Sequence, residues 1–338
     1  MKLRIAAILT VFSIAGGATA APLDPFTGFV AFGDSFSDAG RFGDFFQPPS
    51  NKGRFTDGRT WAEYVGDAFE ARNQNVVNMA VGGATAGDVN ATDPQYAFID
   101  SVTPRDPNNP NDIPLTALRN LSGQATAFAD AGFDMLVGDN PLVSIMIGGN
   151  DVLQGVTPPA DIIGRIAAGI VQIASNGPEF DSFLVANLPD FSQAPDAFFA
   201  PDFIKEDIRN QSIAFNAALS MAMSDLAVFG IEVEIFDLFG VNQGVYADAV
   251  SAGLVLDDAC VERIASPDPL NKCLAPGSSA DFLFIDNVHP GDFAHTRWAD
   301  AALSQIGNRL APVPLPAGFP LLIGAVAGLG LLRLRRAA

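Results

Sequence analysis

Between residues 29 and 310, short apolar runs of strand composition alternate with longer runs of helical period. That alternation leaves few architectures open. Strands are expected at Phe29–Phe32, Val76–Met79, Leu142–Ile147, Asp181–Asn187, Ile231–Phe236 and Phe282–Ile285. Helices are expected at Thr60–Phe69, Leu115–Phe133, Ala160–Ala174, Phe203–Phe229 and Asp292–Leu310. Strands separated by helices favour an α/β fold, a three-layer sandwich with a central, mostly parallel sheet flanked by helices. Near-continuous apolar strands fit a sheet buried on both faces. Polar motifs follow the strands directly, at the carboxyl ends where open α/β sheets place their sites.

The two ends read as addresses. Residues 1–20 combine Lys2 and Arg4, an apolar stretch from Ile5 to Ile14, and Ala18-Thr19-Ala20, the pattern of a secretory signal peptide with its cleavage site. At the other end, residues 313–338 run from Val313-Pro-Leu-Pro-Ala317 through an uncharged stretch to Leu332, then Arg333, Arg335 and Arg336. Eighteen helical residues span roughly 27 Å, marginal for a bilayer, and the arginines would stay cytoplasmic. This layout resembles the PEP-CTERM class of bacterial sorting tails in its VPLPA variant. The resemblance implies transient membrane contact and cleavage by an exosortase-type protease; a permanent anchor is the alternative.

Residues 21–312 form the working body. The chain has 19 Lys+Arg and 38 Asp+Glu. The five basic residues named above lie outside the body, which leaves 14 against 38, a net of −24. Such a body repels nucleic acid and anionic membranes, so no nucleic-acid partner is expected. With 49% apolar and 17% charged residues it is not disordered. Two Cys and two His cannot build a Cys/His-rich zinc site, although carboxylates can hold calcium. No cofactor is expected. Export permits a disulfide, and Cys260 and Cys273, in a loop-like stretch, are expected to pair; two separate thiols are the alternative. Residues 84–114, rich in Asp, Asn, Pro and Thr, read as a surface loop insertion beside the site and a candidate lid.

Four segments carry chemistry. Gly33-Asp34-Ser35 can expose a serine hydroxyl at a strand end, though the same triplet is common turn chemistry. Asp286-Asn-Val-His289 can set a carboxylate against an imidazole, which leaves the other ring nitrogen for a serine. With only His289 and His295 in the chain, a histidine base must be one of these two. Gly82-Gly83 and Gly149-Asn150 can bring a backbone N–H and a side-chain NH₂ to one oxyanion. Asp34 and Asp38 read as caps of the serine turn, and Asp151 as a group that orients its loop.

Ser first, Gly second, Asn third and Asp-x-x-His last resembles the SGNH/GDSL hydrolase superfamily, whose fold is flavodoxin-like. Gly53-Arg-Phe-Thr-Asp-Gly58, Asn187-Leu-Pro-Asp190 and the cysteine loop are similar to segments of its secreted, haemolysin-like phospholipase branch. The resemblance covers roughly residues 28–307. It implies Ser35 as nucleophile, His289 as base and then acid, and Asp286 as the group that orients His289. It implies the Ser35 N–H, the Gly83 N–H and the Asn150 side chain as oxyanion donors, with Gly82 one register away. His295 matches a structural position of the family. The implied activity is a secreted serine esterase or lipase acting on lipid-like esters. The alternatives are a polysaccharide O-acetyl esterase, or a non-catalytic surface protein that keeps the fold.

Overall fold

In a computed structural model, the residues described are 26–87, 93–103, 112–155, 157–264, 272–273 and 277–310, with Leu23 and Asn109. The expected signal segment 1–20 and the tail 313–338 lie outside them, as does part of the 84–114 segment. Residues 24–306 form one compact unit, which holds the sheet.

Five parallel strands form that sheet in the order β2-β1-β3-β4-β5. They are β1 (Gly28–Gly33), β2 (Asn75–Asn78), β3 (Pro141–Met146), β4 (Ser182–Ala186) and β5 (Glu232–Phe236). This is the flavodoxin-like doubly wound order, in which connections leave the sheet in opposite senses on either side of β1 and β3. Every residue of β1, β3 and β4 is buried, as their continuous apolar composition requires. Gly28 to Gly33 pair residue by residue with Pro141 to Met146.

Helices cover both faces. The first, α1 (Trp61–Glu70), starts at a capping box in which Thr60 and Glu63 satisfy each other's backbone. Phe69 of α1 stacks on Phe29 with centroids 5.2 Å apart, and Trp61 stacks on Phe236 at 5.6 Å. The next are α2 (Asp93–Val102), α3 (Leu121–Asp130), α4 (Phe133–Val137), α5 (Gly149–Gln154), α6 (Pro159–Ala174) and α7 (Pro195–Phe198). The last are α8 (Asp202–Asp225), α9 (Leu238–Ala252) and α10 (Asp292–Leu310).

Three expectations differ from the structure. The helix expected over Leu115–Phe133 is broken in two places. Asn120 leaves the helical region, pairs with Thr85, and caps α3 by accepting the Gly123 N–H at 2.8 Å. Gly132 then takes a left-handed φ of +70° before α4. Second, the strand at Phe282–Ile285, here β7 (Phe282–Phe284), does not join the main sheet. It pairs in parallel with β6 (Val255–Ala259), a strand the sequence pattern did not reveal. Third, residues 84–114 are not loop throughout, because α2 lies within them and buries Tyr96 and Ile99.

Cys260 and Cys273 are joined, with Cα atoms 5.2 Å apart. The bond ties the segment after β6 to itself across a 13-residue separation. Closing a loop of that length removes chain entropy from the unfolded state. Replacing both cysteines by serine is expected to lower the unfolding free energy by ~2–4 kcal/mol, read from urea denaturation. Wild-type protein in strong reductant should shift to match.

Candidate active site

β1 ends at Gly33, where φ is +156° and an added Cβ would lie 2.4 Å from the Met146 oxygen of β3. Only glycine permits the chain to break away there. Gln124 of α3 grips this residue from both sides, accepting its N–H at 2.9 Å and donating to its carbonyl at 2.8 Å. The turn that follows closes through Ser37 N–H to Asp34 O at 3.0 Å and Phe36 N–H to Asp34 Oδ1 at 3.2 Å. Ser35 sits at its tip. Burial pushes the Asp34 carboxyl up to about 7.

His289 meets this serine from the other end of the chain. Its Nε2 lies 2.7 Å from Ser35 Oγ, and its Nδ1 lies 2.8 and 2.9 Å from the two oxygens of Asp286. Asp286 also accepts the N–H groups of Val288 (3.0 Å), His289 (2.8 Å) and Ile264 (3.1 Å). Burial alone would raise this carboxyl. The His289 ring and the backbone donors outweigh burial and hold it below the usual carboxylate range.

The loop bearing Asp286 and His289 is held at both ends. His289 O accepts from Ile285 N at 2.8 Å, and Gly291 N donates to Leu283 O at 2.8 Å. The last helix begins at Asp292, as the sequence pattern predicts, and Pro290 before it pairs with Phe284. Residues 53–64 then clamp the start of α10. Asp57 Oδ1 accepts the Asp292 N–H at 2.9 Å, and Asp292 Oδ1 accepts from Arg59 N and Tyr64 OH at 3.2 and 2.6 Å. A side chain at Gly58 would strike Asp292 Oδ1 at 2.0 Å. Asp57 thus supplies a helix-start acceptor beside Gly291.

The doubled glycine resolves into two different environments. Gly82 donates its N–H to Asp38 Oδ2 at 2.7 Å, and its carbonyl accepts the Tyr96 hydroxyl of α2. Gly83 has a left-handed φ of +82°, and among the described residues its N–H, like that of Ser35, has no partner. Asn150, at the start of α5, donates one N–H to Ala84 O at 2.9 Å and keeps the other. Asp38, fully buried, also accepts the Gly40 and Arg41 N–H groups, while Arg41 donates to Ala80 O and Asn78 O. One carboxylate therefore joins the serine turn to the glycine turn. Asp151 accepts the Ala86 N–H at 2.8 Å, and burial raises it. It orients that loop.

Ser35, Gly83, Asn150, Asp286 and His289 line one cleft of about 420 Å³, together with Phe42, Phe55 and Val288. Phe55 approaches the His289 ring to 4.8 Å and Phe36 approaches it edge-on at 5.7 Å. Gln124, Tyr96, Asp57 and Asp292 were not singled out from the sequence. Only the Gly53–Gly58 segment gave notice of part of this support. Among the described residues no group of three or more His, Cys, Asp or Glu is placed to hold a metal ion. A hydroxyl hydrogen-bonded to an imidazole, itself fixed by a buried carboxylate, is the arrangement that nucleophilic acyl transfer requires.

The sequence profile of the GDSL-like lipase/acylhydrolase family matches residues 29–302, and the chain belongs to that family. It is similar to the esterase EstA of Pseudomonas aeruginosa, 28% identical over 323 residues, covering 86% of this chain and 48% of the relative. It is also similar to the phosphatidylcholine-sterol acyltransferase of Aeromonas hydrophila, 29% identical over 184 residues, 51% of this chain and 47% of the relative. The chain thus spans about half the length of these curated relatives. Among solved structures, it resembles LAE5, an alpha/beta hydrolase enzyme from the metagenome of Lake Arreo, Spain. The two are 14% identical with a TM-score of 0.43, over 85% of this chain and 97% of the other.

His295 lies away from the cleft. It is fully buried, accepts the Trp61 N–H at Nδ1 (3.2 Å), and packs edge-on against Trp298 at 4.9 Å. Burial lowers it from 6.5 to about 3. Folding therefore excludes a proton that the unfolded chain binds, so this contribution is complete above pH 6.5 and declines as pH falls toward 3. Urea denaturation at pH 7.5 and pH 5 should show a larger loss for wild type than for His295→Gln. Equal losses would contradict a buried neutral imidazole.

Proposed function

We propose that the chain is an exported serine ester hydrolase acting on lipid-like carboxylic esters. The observation that carries this is the continuous relay from Asp286 through His289 to Ser35, opening on a cleft where the Ser35 and Gly83 N–H groups stand unpaired. Ser35 Oγ attacks the ester carbonyl as His289 Nε2 takes its proton. Asp286 holds the ring with Nε2 toward the serine and stabilises the imidazolium. The carbonyl oxygen, now negative, accepts from the Ser35 and Gly83 N–H groups and from Asn150. Gly83 is favoured over Gly82 because Asp38 already engages the Gly82 N–H.

His289 then returns the proton to the alcohol oxygen as the carbon–oxygen bond breaks, leaving an acyl group on Ser35. Water attacks this acyl-enzyme, giving its proton to Nε2, and the acid leaves with Ser35 restored. Phe42, Phe55, Leu153 and Val288 along the cleft suit an acyl chain. Residues 1–20 would direct export and 313–338 would be the sorting tail. The disulfide accords with an oxidising destination.

Ser35→Ala is expected to lower turnover of a short acyl ester by about 10⁴-fold or more, and Asp286→Asn by about 10⁴-fold. Asn150→Ala should reduce kcat by about 10²–10³-fold. Fluorophosphonate labelling of wild type, absent from Ser35→Ala, reports the nucleophile directly. Full activity in Ser35→Ala, or no labelling of folded wild type, would sink the proposal and favour a non-catalytic role. A panel of short and long acyl esters, a phospholipid and acetylated xylan ranks the substrates. Intact-mass analysis of the exported protein tests both termini.

A further inference from the structure

A glycine pair gives the backbone a freedom that an oxyanion donor cannot use. The Gly82–Gly83 peptide has a glycine on each side, so no side chain at either Cα resists rotation of the plane between them. Turned through half a revolution, that plane would present the Gly82 carbonyl where the Gly83 N–H now stands. An acceptor would then face the developing oxyanion, and a donor would be lost. The plane itself has to be held.

The peptides around it are held by other groups. Val81 N donates to Gly33 O at 3.1 Å, Gly82 N to Asp38 Oδ2 at 2.7 Å, and Ala84 N to Val81 O at 3.1 Å. None of these bonds involves the Gly82 oxygen or the Gly83 nitrogen. Among the described residues, the group bonded to that plane is the Tyr96 hydroxyl, which donates to Gly82 O. The carbonyl and N–H of a trans peptide point in opposite directions. A hydroxyl that fixes Gly82 O on one side therefore fixes the Gly83 N–H on the other. Donation to the carbonyl also polarises the same amide, which makes its N–H a stronger donor.

Tyr96 is a fixed point for this purpose. It is fully buried, and its ring lies 6.0 Å from that of Phe42 in the cleft. Ile99, three residues on, is buried too. Asp100 of α2 accepts the Leu115 and Thr116 N–H groups at 2.9 and 3.0 Å and the Thr116 hydroxyl at 2.8 Å. α2 is thus fastened to the segment that leads into α3, whose Gln124 grips Gly33. The serine turn and the glycine peptide rest on the same support.

We propose that Tyr96 is a positioning residue of the reaction: through Gly82 O it locks the Gly82–Gly83 peptide with the Gly83 N–H directed at the oxyanion. This rests on the ester-hydrolase reading above. It gives α2, inside the 84–114 segment, a part in the chemistry without contact with the reacting atoms.

The test compares p-nitrophenyl butyrate with its thiono analogue, in which sulfur replaces the carbonyl oxygen. Sulfur accepts hydrogen bonds poorly, so the ratio of kcat/KM for the oxygen ester to that for the thiono ester reads the donors around the oxyanion. General loosening of the fold slows both esters alike and leaves the ratio unmoved. Tyr96→Phe removes only the hydroxyl and should lower the ratio by about tenfold, with the loss in kcat rather than KM. Asn150→Ala, which removes a donor directly, should lower it further. A trifluoromethyl ketone, whose hemiketal oxyanion occupies the same place, should bind Tyr96→Phe more weakly by a similar factor. If Tyr96→Phe shows no cooperative urea unfolding, Tyr96→Met, which fills the space with a flexible side chain, supplies the ratio. Failure of both to fold assigns the hydroxyl to the fold and overturns the proposal. A ratio within about twofold of wild type on losing the hydroxyl overturns the Tyr96 proposal alone. Wild type inactive on both esters, or Ser35→Ala fully active, overturns the hydrolase reading and this proposal together.

Discussion

The pairing of β1 with β3 is the contact on which the rest depends. These strands are neighbours in space, yet the chain leaves them in opposite senses, and a crevice opens between their carboxyl ends. Ser35 follows β1 and Asn150 follows β3, so the two reach the crevice from opposite walls. The close approach of β1 to β3 also explains Gly33, because any side chain there would collide with the Met146 carbonyl. Backbone geometry, rather than a side-chain contact, sets where the serine turn begins. β2 adds the glycine turn on the far side of β1, and Asp38 fastens the two turns together.

Buried carboxylates recur around this crevice, and each is tolerated for a separate reason. Asp38 is ringed by backbone N–H donors from Gly40, Arg41 and Gly82. Asp286 has three such donors and the imidazole. Asp34 has far less to offset its burial, and its carboxyl is pushed up to about 7. A charge taken out of water must find donors or give up its ionisation. Burial still raises the Asp38 carboxyl despite its three N–H donors, whereas Asp286, which adds the His289 ring to its donors, is held low.

The architecture and the site's reactive residue types were legible in the sequence because both are written locally. Strand-length apolar runs, the serine triplet and Asp-x-x-His are short patterns whose chemistry does not wait on the fold. What stayed hidden was carried by tertiary contact or by weak periodicity. β6 contains the exposed Asp257 and Asp258 and buries only Ala259, so it lacks the buried composition of the central strands. α9 contains Gly240 and Gly244 and has little one-sided apolar character. The break at Asn120 was masked by Leu118 and Leu121, which continue a helical period across it. Gln124 resembles any polar helix residue until Gly33 is seen between its amide atoms. The sequence could not separate Gly82 from Gly83, because Asp38, which distinguishes their N–H groups, lies 44 positions from Gly82.

The two histidines show how environment divides identical side chains. His289 is partly exposed, paired with Asp286 at one nitrogen and free to meet Ser35 at the other. His295, six residues later on α10, has no carboxylate hydrogen-bonded to its ring among the described residues and is enclosed by Trp61, Trp298 and their surroundings. Burial outweighs the attraction of Glu63 and favours the neutral ring, so His295 acts as an acceptor for a backbone N–H and contributes no charge. That neutrality matters to its neighbour, since a second imidazolium nearby would oppose protonation of His289. By remaining uncharged and locking α10 to α1, His295 fixes the helix that begins just beyond His289. It does so without altering the charge balance between that ring and Asp286.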